Sequence, residues 1–350
     1  MTSKVTAFLS VAALLLAAQP AAAAAKLKVA CTLSTVESLA REVGGDRIET
    51  FALSAGDQDP HTVAPTPSLM NRVRKADMLL EIGMQLELWA DQVADGSGNS
   101  RVFRDSPGRV SLSAGIPKRE VPEMISRAQG DVHPEGNPHL WLDPVRAKLL
   151  AANVARAFKA ARPADSAYFD SRLRDFETRV DHALFGDQLL AAVGSAKLSR
   201  LALDGELISF LSTNQLGGKK LADLAGGWLA KAQALRGQKV VEYHKVWTYF
   251  ALTFGFSLVG SIEEKPGIPP GPRHVTDTVD LIKRDGVRLI LVDNFYDPAL
   301  PRRIAKESGA RVVIVPNQIG GDKGVNDLFA LMDRVLSAMT GELTEATKRP

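Results

Sequence analysis

The sequence has 350 residues, 45% of them hydrophobic and 24% charged, which is enough to build the cores of two globular domains. Its 43 basic and 40 acidic residues nearly cancel, and the lysines and arginines are scattered rather than clustered, so we expect no nucleic-acid binding. The single cysteine, Cys31, excludes an internal disulfide, and the fold must therefore be held by burial of its core.

The first 25 residues have the pattern of a secretory signal peptide. Lys4 precedes an apolar run, and the alanine tract 21–25 after that run offers A-x-A cleavage sites. The run is shorter than the roughly 20 residues that a membrane span requires, although an uncleaved anchor is the alternative interpretation. Cys31 lacks the L-x-x-C arrangement of a lipoprotein signal. We therefore predict a periplasmic protein that is not a lipoprotein.

The remaining chain alternates strand and helix patterns, which indicates parallel sheets flanked by helices. The fold class that we predict is α/β, with two similar lobes joined by a long, rigid interdomain helix. The predicted bounds are 26–160 for the first lobe, 161–187 for the joining helix and 188–350 for the second lobe. Strand patterns occupy 27–32, 48–53, 78–82, 239–243, 256–260, 289–292 and 311–315. The stretch 189–236 is less regular and contains Gly-Gly pairs, so we interpret it as an insertion.

Three of the six histidines lie in loops at the ends of predicted strands or beside prolines. They are His61 in D-P-H, His139 in N-P-H-L-W-L-D-P and His244 directly after a strand. Ligands of open parallel sheets bind beyond the carboxyl ends of the strands, and imidazole is the commonest protein ligand for zinc. A single histidine is more often an ordinary hydrogen-bonded residue, but three such loop positions spread over both lobes favour a metal site in the cleft.

The other three histidines are less informative. His182 lies in the middle of a predicted helix and is expected to face solvent. His133 lies in a polar loop, where it could capture metal weakly. We interpret His274, which follows a proline-rich segment, as structural.

Four sequence motifs together resemble the cluster A-I substrate-binding proteins of ABC transporters, the zinc and manganese receptors. Asp59-Pro60-His61 with Pro65, Pro67 and Ser68 resembles the family's D-P-H-x(3)-P-x-P-S run. Ala76-Asp77 through Gly83, Glu87 and Trp89 resembles A-D-x(5)-G-x(3)-E-x-W. The segment 137–144 resembles N-P-H-x-W-x-D-P, and His244 with Tyr249, Phe250 and Ala251 resembles H-x(4)-Y-F-A. The similarity covers nearly the whole chain after the signal peptide.

The resemblance implies that His61, His139 and His244 are metal ligands. The family usually has an acidic fourth ligand near the C-terminus, and Asn317 stands at that position here. An amide oxygen is a weaker ligand than a carboxylate, so water, Asn317 and Glu264 are all candidates for the fourth position, with a solvated turn residue as the alternative role of Glu264. Three imidazoles without an obligate carboxylate favour Zn²⁺ over Mn²⁺ as the transported ion.

The resemblance also implies a partner, the membrane permease of an ABC transporter, and we expect the receptor to act as a monomer without enzymatic activity. One alternative is a secreted zinc-dependent hydrolase, because three histidines and a water also form catalytic zinc sites. Glu242 or Glu264 would then be the general base, although no H-E-x-x-H motif is present. The other alternative is a receptor for an organic ligand, in which the histidines are structural.

Overall fold

The computed structural model describes residues 25–123, 133–263 and 267–347. The predicted signal peptide, up to residue 24, lies outside the described residues, and so does Glu264. In the described part of the chain, no helix combines the length and apolarity needed to cross a membrane.

Within these ranges, ten strands form two four-stranded parallel sheets and one short antiparallel hairpin. The strands are β1 (Leu27–Cys31), β2 (Ile48–Ala52), β3 (Met78–Glu81), β4 (Arg109–Ser111), β5 (Gln215–Leu216), β6 (Lys219–Lys220), β7 (Lys239–Glu242), β8 (Ser257–Ser261), β9 (Leu289–Asp293) and β10 (Arg311–Val315). The central strands β3 and β9 are nearly continuous apolar runs because helices cover both faces of each sheet.

The two large sheets have the same topology. The first has the order β2-β1-β3-β4, and the second, read from β8, has the order β8-β7-β9-β10. In each, the first strand of the lobe lies between the second and the third, which is the point where the chain changes direction across the sheet. The prediction of two similar α/β lobes is confirmed, although the lobe bounds themselves stay a prediction.

Thirteen helices are present in the described residues. They are α1 (Ser34–Gly44), α2 (Pro67–Val73), α3 (Trp89–Ser97), α4 (Pro144–Ala161), α5 (Ser166–Phe185), α6 (Asp187–Val193), α7 (Ser195–Asp204), α8 (Leu207–Thr213), α9 (Gly227–Lys231), α10 (Thr248–Phe254), α11 (Pro272–Asp285), α12 (Ala299–Ser308) and α13 (Leu328–Thr347).

Helices α4 and α5 connect the lobes. Asp143 caps α4: its Oδ1 accepts a hydrogen bond of 2.8 Å from the amide of Val145, and Pro144 opens the helix. Helix α5 is about 30 Å long, packs against α1 and α4 on one side and contacts α9 on the other. Within the predicted joining segment 161–187, the helix begins at Ser166, because Pro163–Asp165 forms a 3₁₀ turn.

The interpretation of 189–236 as irregular is wrong. Four helices, α6 to α9, and the β5–β6 hairpin occupy this stretch. Glycines end the first of these helices before their apolar patterns become long enough to recognise. Gly194, for example, separates α6 from α7 and has a φ of 86°, a conformation that residues with a side chain rarely adopt. Sequence patterns also missed α3 and the three-residue edge strand β4.

The lobes meet in a close interface beside the cleft. The loop after β10 contacts the loop after β2 so closely that a Cβ atom on Gly56 would lie 2.3 Å from the carbonyl oxygen of Ile319. The Ser34 hydroxyl donates a 2.5 Å hydrogen bond to that same carbonyl, and the amide of Ile319 donates to Thr35 at 3.0 Å. One continuous apolar cluster also includes residues of both sheets. These contacts favour limited closure rather than a wide hinge motion.

Candidate metal centre

The structure brings His61, His139 and His244 together from three different loops. One ring nitrogen of each lies within 4.8 Å of those of the other two. The ring centroids are 5.2 to 6.0 Å apart. His139 and His244 are 1% and 4% exposed, and the imidazole of His61 is 6% exposed. The cluster is therefore a buried, nitrogen-rich site at the carboxyl edges of both sheets.

The D-P-H and N-P-H motifs fold in the same way. In the first, Oδ1 of Asp59 accepts hydrogen bonds from the amide of His61, at 3.0 Å, and from its Nδ1, at 2.8 Å. In the second, Oδ1 of Asn137 accepts from the amide and Nδ1 of His139, at 3.0 and 2.9 Å. The proline between them fixes φ, so one side-chain oxygen sets both the turn and the ring orientation.

His244 is oriented by a residue that sequence reasoning missed. Its Nδ1 contacts Oε2 of Glu263, which follows β8, while the amide of Glu263 donates to the Tyr243 carbonyl at 2.8 Å. The sequence analysis named the neighbouring Glu264 instead. Parallel pairing of β7 with β8 places the residues that follow these strands side by side. A sequence analysis that paired these two strands could therefore have identified Glu263 as the neighbour of His244.

All three rings are thus held through Nδ1 by an oxygen acceptor. An Nδ1–H that donates to such an acceptor leaves Nε2 with a free lone pair, which is the usual arrangement of metal-binding histidines. Nε2 of His139 is buried and has no hydrogen-bond partner among the described residues. A polar atom in this state has a high desolvation cost unless a ligand contacts it.

Burial lowers the pKa of His139 well below its ordinary value of 6.5, and nearby His61 and His244 lower it further. His139 therefore stays neutral in mildly acidic solution, as a metal ligand must.

A pH effect on stability follows from this pKa. Near pH 6 the unfolded chain binds a proton at residue 139 that the folded protein does not. The free energy of unfolding therefore decreases as pH falls below about 6.5. Relative to His139→Gln, the metal-free protein should lose up to about 1.4 kcal/mol per pH unit. Urea unfolding of both proteins at pH 7.5 and 5.5 measures this difference, and a pH-independent difference would contradict the assigned burial of a neutral ring.

His133 lies next to the cluster, beside His61, closer to the site than the sequence indicated. Its Nε2 is 3.2 Å from Nε2 of His61, and its ring centroid is 5.3 Å from that of His61. Burial, followed by the nearby His61 and His244, lowers the pKa of His133 to about 3. A fourth imidazole therefore lies beside the three predicted ones, while His182 and His274 lie elsewhere, on α5 and α11.

Aromatic residues of the four motifs hold these loops in place. Nε1 of Trp89 donates to the carbonyl of Pro60 at 2.8 Å, which fixes the D-P-H turn. The Tyr249 hydroxyl donates to the carbonyl of Asn137 at 2.7 Å, which fixes the N-P-H turn. Nε1 of Trp141 donates to the carbonyl of Asn317 in the opposite lobe at 2.5 Å.

The candidate ligand Asn317 and the candidate general base Glu242 have different surroundings. Asn317 is fully buried, and neither its Oδ1 nor its Nδ2 has a hydrogen-bond partner in the described chain. Glu242, named as a general base for the hydrolase alternative, accepts hydrogen bonds from the amides of Val246 and Trp247 at 3.2 and 3.0 Å. Its Oε2 therefore supports the turn after His244.

Comparison with protein families decides the class. The model of the ZnuA family, described as the periplasmic component A of the zinc-uptake complex, matches residues 29–184 and 215–341. This chain belongs to the ZnuA family. The resemblance to the cluster A-I receptors is confirmed, and the class is that of the metal-binding receptors of ABC transporters. The match leaves out 185–214, which overlaps the predicted insertion.

Curated relatives of this ZnuA-family chain are named for three different metals. The iron-binding protein YfeA of Yersinia pestis is 22% identical over 87% of this chain and 82% of YfeA. The manganese-transporter lipoprotein PsaA of Streptococcus anginosus is 24% identical over 50% of this chain and 55% of PsaA. The zinc-binding lipoprotein AdcA of Streptococcus pneumoniae is 21% identical over 83% of this chain and 50% of AdcA. The chain spans about half the length of the last two.

Solved structures show the same fold. A crystal structure of ZnuA aligns with a TM-score of 0.64 and 18% identity, covering 90% of this chain and 99% of that one. FpvC of Pseudomonas aeruginosa, solved in complex with Mn²⁺, aligns with a TM-score of 0.65 and 19% identity over 92% of this chain and all of FpvC.

Proposed function

We propose that this protein captures Zn²⁺ in the periplasm, after cleavage of a signal peptide and without a lipid anchor, and delivers it as a monomer to an ABC permease. The ligands in this proposal are the Nε2 atoms of His61, His139 and His244. The observation that carries it is the convergence of three buried imidazoles, each oriented through Nδ1 by its own oxygen acceptor. Such acceptors raise the basicity of a ligating ring and fix its tautomer.

For the fourth position we propose His133, with Asn317 as the alternative. Ligand nitrogens around tetrahedral zinc, with Zn–N bonds of about 2.0–2.1 Å, lie about 3.3 Å apart. The 3.2 Å between Nε2 of His133 and Nε2 of His61 fits this separation. His133 lies outside the group of three histidines whose ligand atoms are all within 4.8 Å of one another, so its ring would have to move toward His139 and His244 to complete the site.

The donor set supports zinc over manganese. Imidazole nitrogens suit zinc, whereas manganese favours carboxylate, carbonyl and water oxygens, and the intrinsic affinity order of divalent metals also places zinc above manganese. In a competition titration with a chromogenic chelator, we expect one Zn²⁺ per chain that a 100-fold excess of Mn²⁺ does not displace. Displacement by that excess would contradict the choice of zinc, and binding of neither ion would contradict the metal-receptor proposal itself.

The role of His133 has its own test. We expect His133→Ala to weaken zinc binding by about 10- to 100-fold, because three imidazoles remain and water can take the fourth position. His182→Ala is the matched control, since that side chain is 54% exposed and pairs only with Asp187. The same chelator competition measures both. Equal affinity of His133→Ala and wild type would exclude His133 as a ligand.

The hydrolase alternative makes a separate prediction. A catalytic zinc site would give turnover of generic ester or phosphate substrates by the zinc-loaded protein, and the receptor proposal expects none. The organic-ligand alternative predicts that equilibrium dialysis finds no stoichiometric zinc.

A further inference from the structure

A second group of polar side chains without partners lies at the end of β9. Asp293, the last residue of that strand, is fully buried, and neither of its carboxylate oxygens has a well-formed hydrogen bond among the described residues. The side-chain amide of Asn317, just beyond β10, is the polar group next to it, and neither amide atom forms a hydrogen bond of good geometry in the described chain. Burying a carboxylate without partners costs several kcal/mol.

Other deeply buried aspartates of this protein each have a cationic partner. Asp143, fully buried, pairs with Arg146, and Asp181, 8% exposed, pairs with Lys148. Asp293 forms no ion pair with any lysine or arginine in the described part of the chain. The structure therefore provides a cation for Asp143 and Asp181 but not for Asp293.

Asp293 lies close to the candidate metal centre. Parallel pairing of Glu242 with Leu291 places His244 and Asp293, each two residues further along its strand, at the same sheet edge. Burial, and to a smaller extent the charges of Asp59 and Glu263, which orient His61 and His244, raises the pKa of Asp293 to about 8. Asp59, Glu263 and Asp293 are thus three nearby carboxyl groups. Such a group of like charges is unfavourable by itself and favourable around a dication.

We propose that Asp293 is the carboxylate that compensates the charge of the captured dication. This inference rests on the proposed function. Asp293 is not among the groups whose ligand atoms cluster within 4.8 Å, so it acts as a charge-compensating residue outside the ligand set.

The test is Asp293→Asn, which keeps the side-chain shape and removes the charge. We expect zinc affinity to fall by about 10- to 100-fold, as for other residues behind metal ligands. We also expect the melting temperature of the metal-free variant at pH 7 to equal or exceed that of wild type, because residue 293 ionises in the unfolded wild-type chain and not in the folded one, a cost that asparagine removes. Chelator competition and thermal denaturation without metal measure the two effects.

Asp181→Asn is the matched control and should behave in the opposite way. Its carboxylate is paired with Lys148 and accepts a hydrogen bond from Ser195 at 2.5 Å, so its loss should lower stability and leave zinc affinity unchanged. The inference is overturned if Asp293→Asn binds zinc like wild type, or if its metal-free melting temperature falls together with its affinity, as a structural role predicts. If wild type itself binds no zinc, the proposed function fails instead.

Discussion

Replacing His139 by alanine is expected to lower zinc affinity more than about 100-fold, a larger loss than any residue outside the ligand set should give. His139 is 1% exposed, its Nδ1 is fixed by Asn137, and its Nε2 has no other partner among the described residues. Chelator competition on purified wild type and variant measures the effect.

The variant must remain folded for this result to count. His139→Gln keeps most of the side-chain volume and serves as a second variant, while far-UV circular dichroism and a melting curve without metal report on the fold. His182→Ala should bind like wild type because its ring is exposed on α5. A His139→Gln protein that is folded and still binds zinc as tightly as wild type would exclude His139 as a ligand.

The largest effect on stability is expected at Arg146. Its guanidinium is fully buried, pairs with Asp143, and donates hydrogen bonds to the carbonyls of Pro117 and Leu203 at 3.1 and 3.2 Å. It also lies 4.5 Å from the ring centroid of Tyr249, which holds the N-P-H turn. Arg146→Met leaves the Asp143 carboxylate buried without its cation, which should lower the free energy of unfolding by about 3–5 kcal/mol.

The control for Arg146 is a surface ion pair formed by Lys159 of the same helix, α4. Lys159 pairs with Asp170 at 2.7 Å, and both side chains are about one-third exposed. Lys159→Met should therefore cost at most about 1 kcal/mol. Urea unfolding of the metal-free proteins compares the two variants, and similar losses would show that the buried pair is not a main contributor to stability.

Much of the architecture follows from sequence patterns because each lobe is built from short, apolar, parallel strands. The strand predicted at 311–315 matches β10, and those at 27–32 and 48–53 extend one residue beyond β1 and β2. The pattern fails where an element is short or interrupted. Strand β4 has three half-buried residues, and glycines divide the 189–236 stretch into helices of five to ten residues.

The three histidines were predictable because proline motifs and strand ends mark their loops. The residues that surround and orient these histidines were harder to predict. Glu263 reaches His244 through the pairing of two strands, and His133 reaches His61 although 72 positions separate them. Asp293 ends an ordinary apolar strand, and only three-dimensional burial shows that it lacks a partner. Sequence spacing carries little information about such contacts.

The central claim is that one divalent ion is held by imidazoles contributed by loops of both lobes. X-ray absorption spectroscopy of the zinc-loaded protein, combined with metal analysis, tests it most directly. We expect one zinc per chain, a first shell of nitrogen at about 2.0 Å and the outer-shell scattering of at least three imidazole rings. A first shell dominated by oxygen without imidazole scattering, or the absence of stoichiometric zinc, would contradict the claim.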